Sequence, residues 1–218
     1  MKDSNWLHAF RRTVTSQHGE DGIIEKIFET LPPGDKWCVE FGAWDGNYLS
    51  NTWNLIKSKG WYSIQIESNS DYFKVMEKNF LNDPVFCVNE KVEVEPPHRL
   101  VDILSRYPIP ISFDFLSIDV DSYDYQIWQG FHGHRPRVVC IEFCQAFKNE
   151  EKYIHGQGQV YKGSSLASVV ELGKQKGYEL IAVAGVNAFF VWLGSYPLFE
   201  IGSNEVVNYR QYIAPGDR

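Results

Sequence analysis

Short apolar runs recur along the chain and are separated by glycines, prolines and charged residues. Five of them have the length and composition of buried strands, at 37–42, 61–67, 84–89, 113–119 and 137–143. Between these runs, apolar residues recur every three or four positions, which predicts helices at 47–59, 70–80, 98–107 and 123–130. This alternation of strands and helices is typical of an α/β protein with a mostly parallel sheet.

The strand-like runs are apolar at both odd and even positions, which indicates that helices cover both faces of the sheet. Further along the chain, the spacing predicts a helix at 165–176 that ends at Gly177, a residue suited to a left-handed helix cap. Two more strands, at 178–184 and 188–193, are predicted to form an antiparallel hairpin around the turn at 185–187.

The length, charge and composition of the chain limit the classes of protein to which it can belong. The 218 residues, 44% of them hydrophobic, suit a single globular domain, and the formal net charge of −7 argues against a nucleic-acid partner. No apolar stretch reaches the roughly 20 residues of a membrane-spanning helix, and the N-terminal residues lack the features of a secretory signal. Four cysteines without metal-site spacing suit a reducing compartment, so we expect a cytoplasmic protein without membrane contact.

Acidic residues stand at the carboxyl ends of the predicted strands: Glu40, Glu67, Glu90, Asp119 and Glu142. In an open parallel sheet these ends meet along one edge, and ligands bind there. The sequence therefore predicts a ligand site that is rich in carboxylates.

The turn after the first predicted strand reads Val-Glu-Phe-Gly-Ala-Trp-Asp-Gly. Its glycines, Gly42 and Gly46, would let the backbone approach a ligand closely. A dinucleotide fold needs G-x-G-x-x-G at this point, and the acids Glu40 and Asp45 would repel a pyrophosphate. They favour the cationic sulfonium and amino group of S-adenosylmethionine (AdoMet). Glu67, after the second strand, suits the two hydroxyls of a ribose, a placement that AdoMet and NAD proteins share.

The fourth predicted strand ends in Ile-Asp-Val-Asp, which favours this edge as the place of reaction. Methyl transfer to an alcohol needs a base, for which the candidates are Asp119, Asp121, Glu142 and His155. Asp119 and Glu142 are expected on neighbouring strand ends, where repulsion would raise one pKa or the two would share a divalent cation; no metal ligand is assigned. The alternatives are a helix N-cap for Asp121 and a surface position for His155.

Five ordered blocks carry a family resemblance: Ser-Gln-His-Gly-Glu-Asp-Gly at 16–22, the glycine turn at 39–46, Ile-Asp-Val-Asp at 118–121, Ile-Glu-Phe at 141–143, and Asn-Ala-Phe-Phe-Val at 187–191. On these blocks the chain resembles the FkbM-type class I AdoMet-dependent methyltransferases, whose members often O-methylate sugars and natural products. The resemblance implies a Rossmann-like fold with a seven-stranded sheet and an antiparallel last strand. It also implies that residues 1–36 form a helical lid on the core, 37–218. Ser122 departs from the glycine that often follows Ile-Asp-Val-Asp in the family.

The predicted AdoMet-binding residues combine the glycine turn, the strand ends and the lid that the resemblance implies. They are Gln17, Glu40, Gly42, Ala43, Trp44, Asp45, Gly46, Glu67, Ser68, Asn89, Glu90 and Asp119.

We expect the acceptor to be a small molecule or glycan, and favour a sugar or sugar nucleotide. Aromatic residues make up 15% of the chain, and aromatic faces suit pyranose rings. Those near predicted strand ends, of which several are expected to be core residues, are Trp44, Tyr48, Trp128, Tyr153 and Tyr161. Two alternatives stay open: an inactive module of the same fold that binds AdoMet or a protein partner, and a nicotinamide-dependent oxidoreductase.

Overall fold

The structure, a computed structural model, describes residues 1–156, 159 and 162–209. Seven strands form one sheet with the order β3-β2-β1-β4-β5-β7-β6. They are β1 (Trp37–Phe41), β2 (Tyr62–Ile66), β3 (Val85–Val88), β4 (Phe115–Ile118), β5 (Val138–Glu142), β6 (Tyr178–Ala184) and β7 (Asn187–Trp192). Pairing is parallel from β3 to β5, and β7 is antiparallel to both β5 and β6. The predicted Rossmann-like sheet with a reversed last strand is confirmed.

Helices pack on both faces of this sheet, as the apolar pattern of the strands predicts. In the described ranges, the α-helices are α1 (Glu20–Thr30), α2 (Trp53–Lys59), α3 (Ser70–Asn79), α4 (Leu100–Leu104), α5 (Asp124–Gly130) and α6 (Leu166–Gln175). The core falls into two clusters, one on each face: Val39 and Phe41 of β1 belong to one, and Cys38 belongs to the other. All four cysteines are free thiols.

The first connecting helix is shorter than the predicted 47–59, because α2 begins only at Trp53. Asp45 Oδ1 accepts the backbone N–H groups of Asn47 and Tyr48, at 2.9 and 2.7 Å. Leu49 then adopts a left-handed φ of 57°. Such side-chain capping competes with helix formation, so the chain forms a loop here and that loop is available to line a site.

The helix predicted at 98–107 is also shorter, spanning only Leu100–Leu104. At its start, the Arg99 N–H donates to Asp102 Oδ2 at 3.2 Å, which caps the first turn. At its end, Tyr107 precedes Pro108, and a residue before proline avoids the helical conformation. Both boundaries are thus set by local backbone chemistry that apolar spacing does not report.

The C-terminal hairpin agrees with its prediction to within one residue. Gly177, after α6, has a φ of 83°, the left-handed cap conformation. The strands β6 and β7 follow it and meet at the turn that contains Gly185. Across the described ranges, no helix combines the length and the apolarity that crossing a bilayer requires.

The N-terminal segment packs against the core through a 3-10 helix (Trp6–Phe10) and α1. Leu7, Ile23 and Ile27 are fully buried in the second core cluster. His8 Nε2 lies 2.5 Å from the carbonyl oxygen of Val183 on β6, which ties the segment to the sheet.

Candidate functional site

A cavity of about 500 Å³ opens at the carboxyl ends of β1, β2, β4 and β5. This volume is in the range of small-molecule sites. Most of the predicted site residues line it: Gln17, Glu40, Gly42, Ala43, Trp44, Glu67, Ser68, Glu90, Asp119, Asp121 and Glu142. The topology therefore brings together acids that are up to 102 positions apart in the sequence, Glu40 and Glu142.

Three of the predicted AdoMet-binding residues lie outside the lining of this cavity and support its wall instead. Asp45 caps the loop before α2 through its carboxylate. Gly46 has a φ of 79°, and a Cβ there would lie 2.3 Å from the Phe80 ring, so glycine is needed for packing. Asn89 donates its amide to the carbonyl oxygen of Glu67 at 2.8 Å. Their direct contact with a ligand is not supported by this placement.

His155, a candidate base, also lies outside the lining. Its side chain is buried, and its ring packs edge-on against Tyr123 at a centroid distance of 5.2 Å. Gln126 donates to the carbonyl oxygen of His155 at 2.6 Å. The surface position considered for His155 is wrong, because the ring is buried behind a tyrosine that itself lines the cavity.

Glu40 is buried at the floor of the cavity and anchors the loop before α2. Its Oε2 accepts the hydroxyls of Ser50 and Thr52, both at 2.6 Å, and its Oε1 accepts the Asn51 N–H at 2.8 Å. Burial raises the pKa of Glu40, although these three hydrogen bonds act against the rise. Sequence reasoning missed Ser50 and Asn51 as lining residues, because the apolar spacing placed them inside a helix.

Glu67 holds together the two loops that flank the cavity. Its Oε2 accepts the Trp44 N–H at 2.8 Å, and its Oε1 accepts the Asn69 N–H at 2.6 Å. Trp44 and Leu49 both line the cavity with a positive φ, of 51° and 57°. Such strained residues cost on the order of 1–3 kcal/mol each and cluster at functional sites.

Shortly after the third strand comes an ionised carboxylate, Glu90, whose charge is balanced by basic side chains. Glu90 contacts the guanidinium of Arg106 and lies 2.7 Å from His98 Nδ1. Burial acts to raise the pKa of Glu90, but these two contacts outweigh it and the pKa lies below its usual value. The neighbouring Lys91 also lines the cavity.

A cluster of carboxylates stands at the ends of β4 and β5. Asp119, Asp124 and Glu142 each present an oxygen within 4.8 Å of the others, so they could share a proton or hold a divalent cation. Burial raises both pKa values, helped by the charges of Asp124 and Asp121 at Asp119 and by the charge of Asp119 at Glu142, and the pair titrates with apparent values of about 7 and about 9. The expected juxtaposition of these two strand-end acids is confirmed.

Asp124, which sequence reasoning missed, holds the loop after β4. It accepts the N–H groups of Val120 and Ser122, at 2.8 and 3.1 Å. Burial raises its pKa to about 6. Tyr123 takes the N-cap position of α5 without a side-chain cap, so the N-cap considered for Asp121 is wrong. Asp121 is exposed in the cavity wall with a φ of 60°.

Aromatic side chains form part of the rim. Trp44 packs edge-on against both Tyr48 and Tyr72, each at a centroid distance of 5.0 Å, and all three line the cavity. Trp128 is a core residue, as several of the aromatic residues were expected to be. Tyr153 stacks on Phe147 away from the lining, and Tyr161 lies outside the described residues.

Comparison with solved structures settles the fold. The CurJ carbon methyltransferase superposes on 85% of this chain with a TM-score of 0.52 and 11% identity. The fold is the Rossmann-like methyltransferase fold. Structures with a TM-score of 0.49 include an AdoMet-dependent methyltransferase from Clostridium acetobutylicum (12% identity, 79% of this chain and 90% of that one) and the methyltransferase domain of the citrinin polyketide synthase (13% identity, 80% of this chain).

This chain spans about half the length of two of these structures, 51% of the citrinin synthase chain and 56% of the CurJ chain. No family model and no curated protein matches the sequence. At 10–13% identity the likeness shows the fold alone.

Proposed function

We propose that this chain is an AdoMet-dependent O-methyltransferase of the FkbM type, acting in the cytoplasm on a hydroxyl of a small acceptor, with a sugar favoured. The observation that carries the proposal is one cavity lined both by the glycine turn that Glu67 holds and by the acids Asp119 and Glu142. A place for a cofactor thereby adjoins groups that can take a proton. The five sequence blocks support the same chemistry, and the fold supports methyl transfer in general, since the similar CurJ structure is named as a methyltransferase that acts on carbon.

The residues of the cavity fit AdoMet better than a dinucleotide. Gly42 lies so close to the loop after β4 that a Cβ would be 1.9 Å from the Asp119 carbonyl oxygen, so glycine lets these two cavity-lining loops meet. Glu67 Oε2 accepts one N–H and keeps a second lone pair for a ribose hydroxyl. The acids Glu40 and Asp119 favour a cationic cofactor and would repel a pyrophosphate. We propose that AdoMet is held by those predicted binding residues that line the cavity.

When bound, AdoMet would supply the methyl group, whose bond to sulfur breaks as its bond to the acceptor oxygen forms. We assign Asp119 as the base that takes the hydroxyl proton, because it lines the cavity and a pKa near neutral suits proton transfer at physiological pH. Between the two apparent pKa values, Asp119 and Glu142 hold one proton between them, so one carboxylate is free to accept.

A sugar acceptor is supported by the aromatic rim. Trp44 and Tyr48 are more than one-third exposed and line the cavity, where their faces would pack on a pyranose ring. The test is mass spectrometry of a panel of sugars incubated with AdoMet. One added methyl group in wild type and none with Asp119→Asn would support the proposal. AdoMet binding without any methylated product would favour an inactive module, and binding of NAD in its place would favour an oxidoreductase.

A further inference from the structure

The charges that line the cavity are strongly unequal. Six carboxylates are present, those of Glu40, Glu67, Glu90, Asp119, Asp121 and Glu142. Among the described residues of the lining, the single cationic side chain is Lys91, and it lies 3.4 Å from Glu93 outside the cavity. Even with Glu90 paired to Arg106 and a proton on Glu142, acids outnumber the one base, so a ligand that enters this cavity meets a negative potential.

Asp119 and Glu142 are hydrogen-bonded to each other, and Asp119 also accepts the Asp121 N–H. Glu40 and Glu67 accept backbone N–H groups from elsewhere in the chain, and Glu90 contacts Arg106. Within the described part of the chain, Asp119, Asp121 and Glu142 form no ion pair with a basic side chain. These three lie at the ends of β4 and β5, the part of the cavity that we assign to the acceptor.

Two further features of the same cavity favour a ligand that donates hydrogen bonds and carries positive charge. Asn51 lines the cavity, is 95% buried, and its Oδ1 has no hydrogen-bond partner. Its amide nitrogen faces Ser117 Oγ at 3.2 Å, so the vacant group is an acceptor. Tyr123 lines the wall beside Asp121 and is 37% exposed, and an aromatic face attracts an ammonium group.

We propose that the acceptor is an aminated polyol, such as an amino sugar, whose protonated amine is held by Asp121 and Glu142 while a neighbouring hydroxyl reaches Asp119. This inference rests on the proposed function for its methyl transfer. It deepens that function by naming the charge of the acceptor. Sugar phosphates and sugar nucleotides bring negative charge to the same acids, so the cavity discriminates against them.

The protonation state of the cluster offers an independent signal. Burial and the repulsion of Asp119 raise the pKa of Glu142, which faces Asp121 from the loop after β4 and Asp124 from α5 as well, while its neighbour on β7 is the uncharged Asn187. In the free protein at neutral pH this carboxyl holds a proton. A bound ammonium favours the ionised form, so binding releases that proton.

The experiment is calorimetry on the protein loaded with S-adenosylhomocysteine. The probes are glucosamine, N-acetylglucosamine and glucose 6-phosphate, each titrated at pH 6.5, where the amine of glucosamine is already protonated, in two buffers of different ionisation enthalpy to count released protons. We expect glucosamine to bind about 10-fold or more tightly than its acetylated form, since a hydrogen bond between charged groups is worth roughly 1.5–3 kcal/mol. Proton release should accompany glucosamine alone.

Matched variants assign the effect to the cluster. Asp121→Asn keeps the turn, because asparagine tolerates a left-handed φ, and Glu142→Gln keeps the shape of its side chain. Both should abolish the preference for glucosamine, whereas Glu29→Gln, which removes an exposed acid of α1, should keep it. Thermal unfolding confirms that each variant is folded.

Equal or tighter binding of N-acetylglucosamine or glucose 6-phosphate would overturn the inference, as would the absence of glucosamine binding. Magnesium that binds with proton release, without glucosamine binding, would instead identify a metal site and overturn it too. Failure of the proposed function is distinguishable, because the wild type would then not bind S-adenosylhomocysteine, and the probes can still be titrated into the unloaded protein.

Discussion

Replacing Glu67 with glutamine tests whether one carboxylate both holds the cavity and binds the cofactor. The two oxygens accept the N–H groups of Trp44 and Asn69, at 2.8 and 2.6 Å. In Glu67→Gln one oxygen becomes an NH₂ group, which faces another N–H and cannot accept. A hydrogen bond to a charged group contributes about 1.5–3 kcal/mol, so we expect the free energy of unfolding to fall by that amount.

For a chain of this size, 1 kcal/mol shifts the unfolding midpoint by about 2–4 °C, so Glu67→Gln should unfold roughly 3–12 °C below wild type. Differential scanning calorimetry measures this shift, and Glu29→Gln is the matched surface control. At a temperature where the variant is folded, its affinity for S-adenosylhomocysteine should also fall, because the ribose loses a charged acceptor. An unchanged midpoint would refute the two contacts, and an unchanged affinity would refute the ribose role.

Three further predictions follow from the same site. Gly42→Ala should lower the unfolding temperature more than Gly60→Ala, because both have a positive φ but a Cβ contacts backbone only at Gly42; equal shifts would contradict this. The value of kcat/KM should rise with pH through about 7, where the Asp119–Glu142 pair loses its first proton, and Asp119→Asn should lack that limb and lose far more turnover than cofactor affinity. Because the pKa of Glu142 is raised, the folded protein keeps this proton up to a higher pH than the unfolded chain does. The free energy of unfolding therefore falls as pH rises from about 4 towards about 9. The unfolding temperature of Glu142→Gln should therefore rise relative to that of wild type over this pH range. A difference between the two temperatures that does not change with pH would contradict the raised pKa.

The sheet could be predicted from the sequence because its strands are apolar on both faces and each apolar run is ended by acids or glycines. Strand positions such as 178–184 were predicted to the residue. The loop before α2 could not be predicted, because Leu49 and Ser50 continue an apolar spacing that also suits a helix. The hydrogen bonds of Asp45 and Glu40 that decide between the two come from tertiary structure.

The strand-end acids of the site were predictable, because parallel strands must end along one edge. Sequence spacing could not separate residues that line the cavity from those one layer behind it, such as Asn89 and His155. That distinction depends on side-chain direction and on burial. Asp124 was missed for a related reason: at the start of α5 it resembles any acid in a first helical turn, and only the folded loop shows it holding Val120.

The measurement that tests the account most directly is calorimetric titration of the wild-type protein with AdoMet, S-adenosylhomocysteine and NAD. The account predicts saturable one-to-one binding of both sulfur nucleotides and no heat from NAD. Absence of binding by AdoMet and S-adenosylhomocysteine, or binding of NAD at the same site, would contradict it.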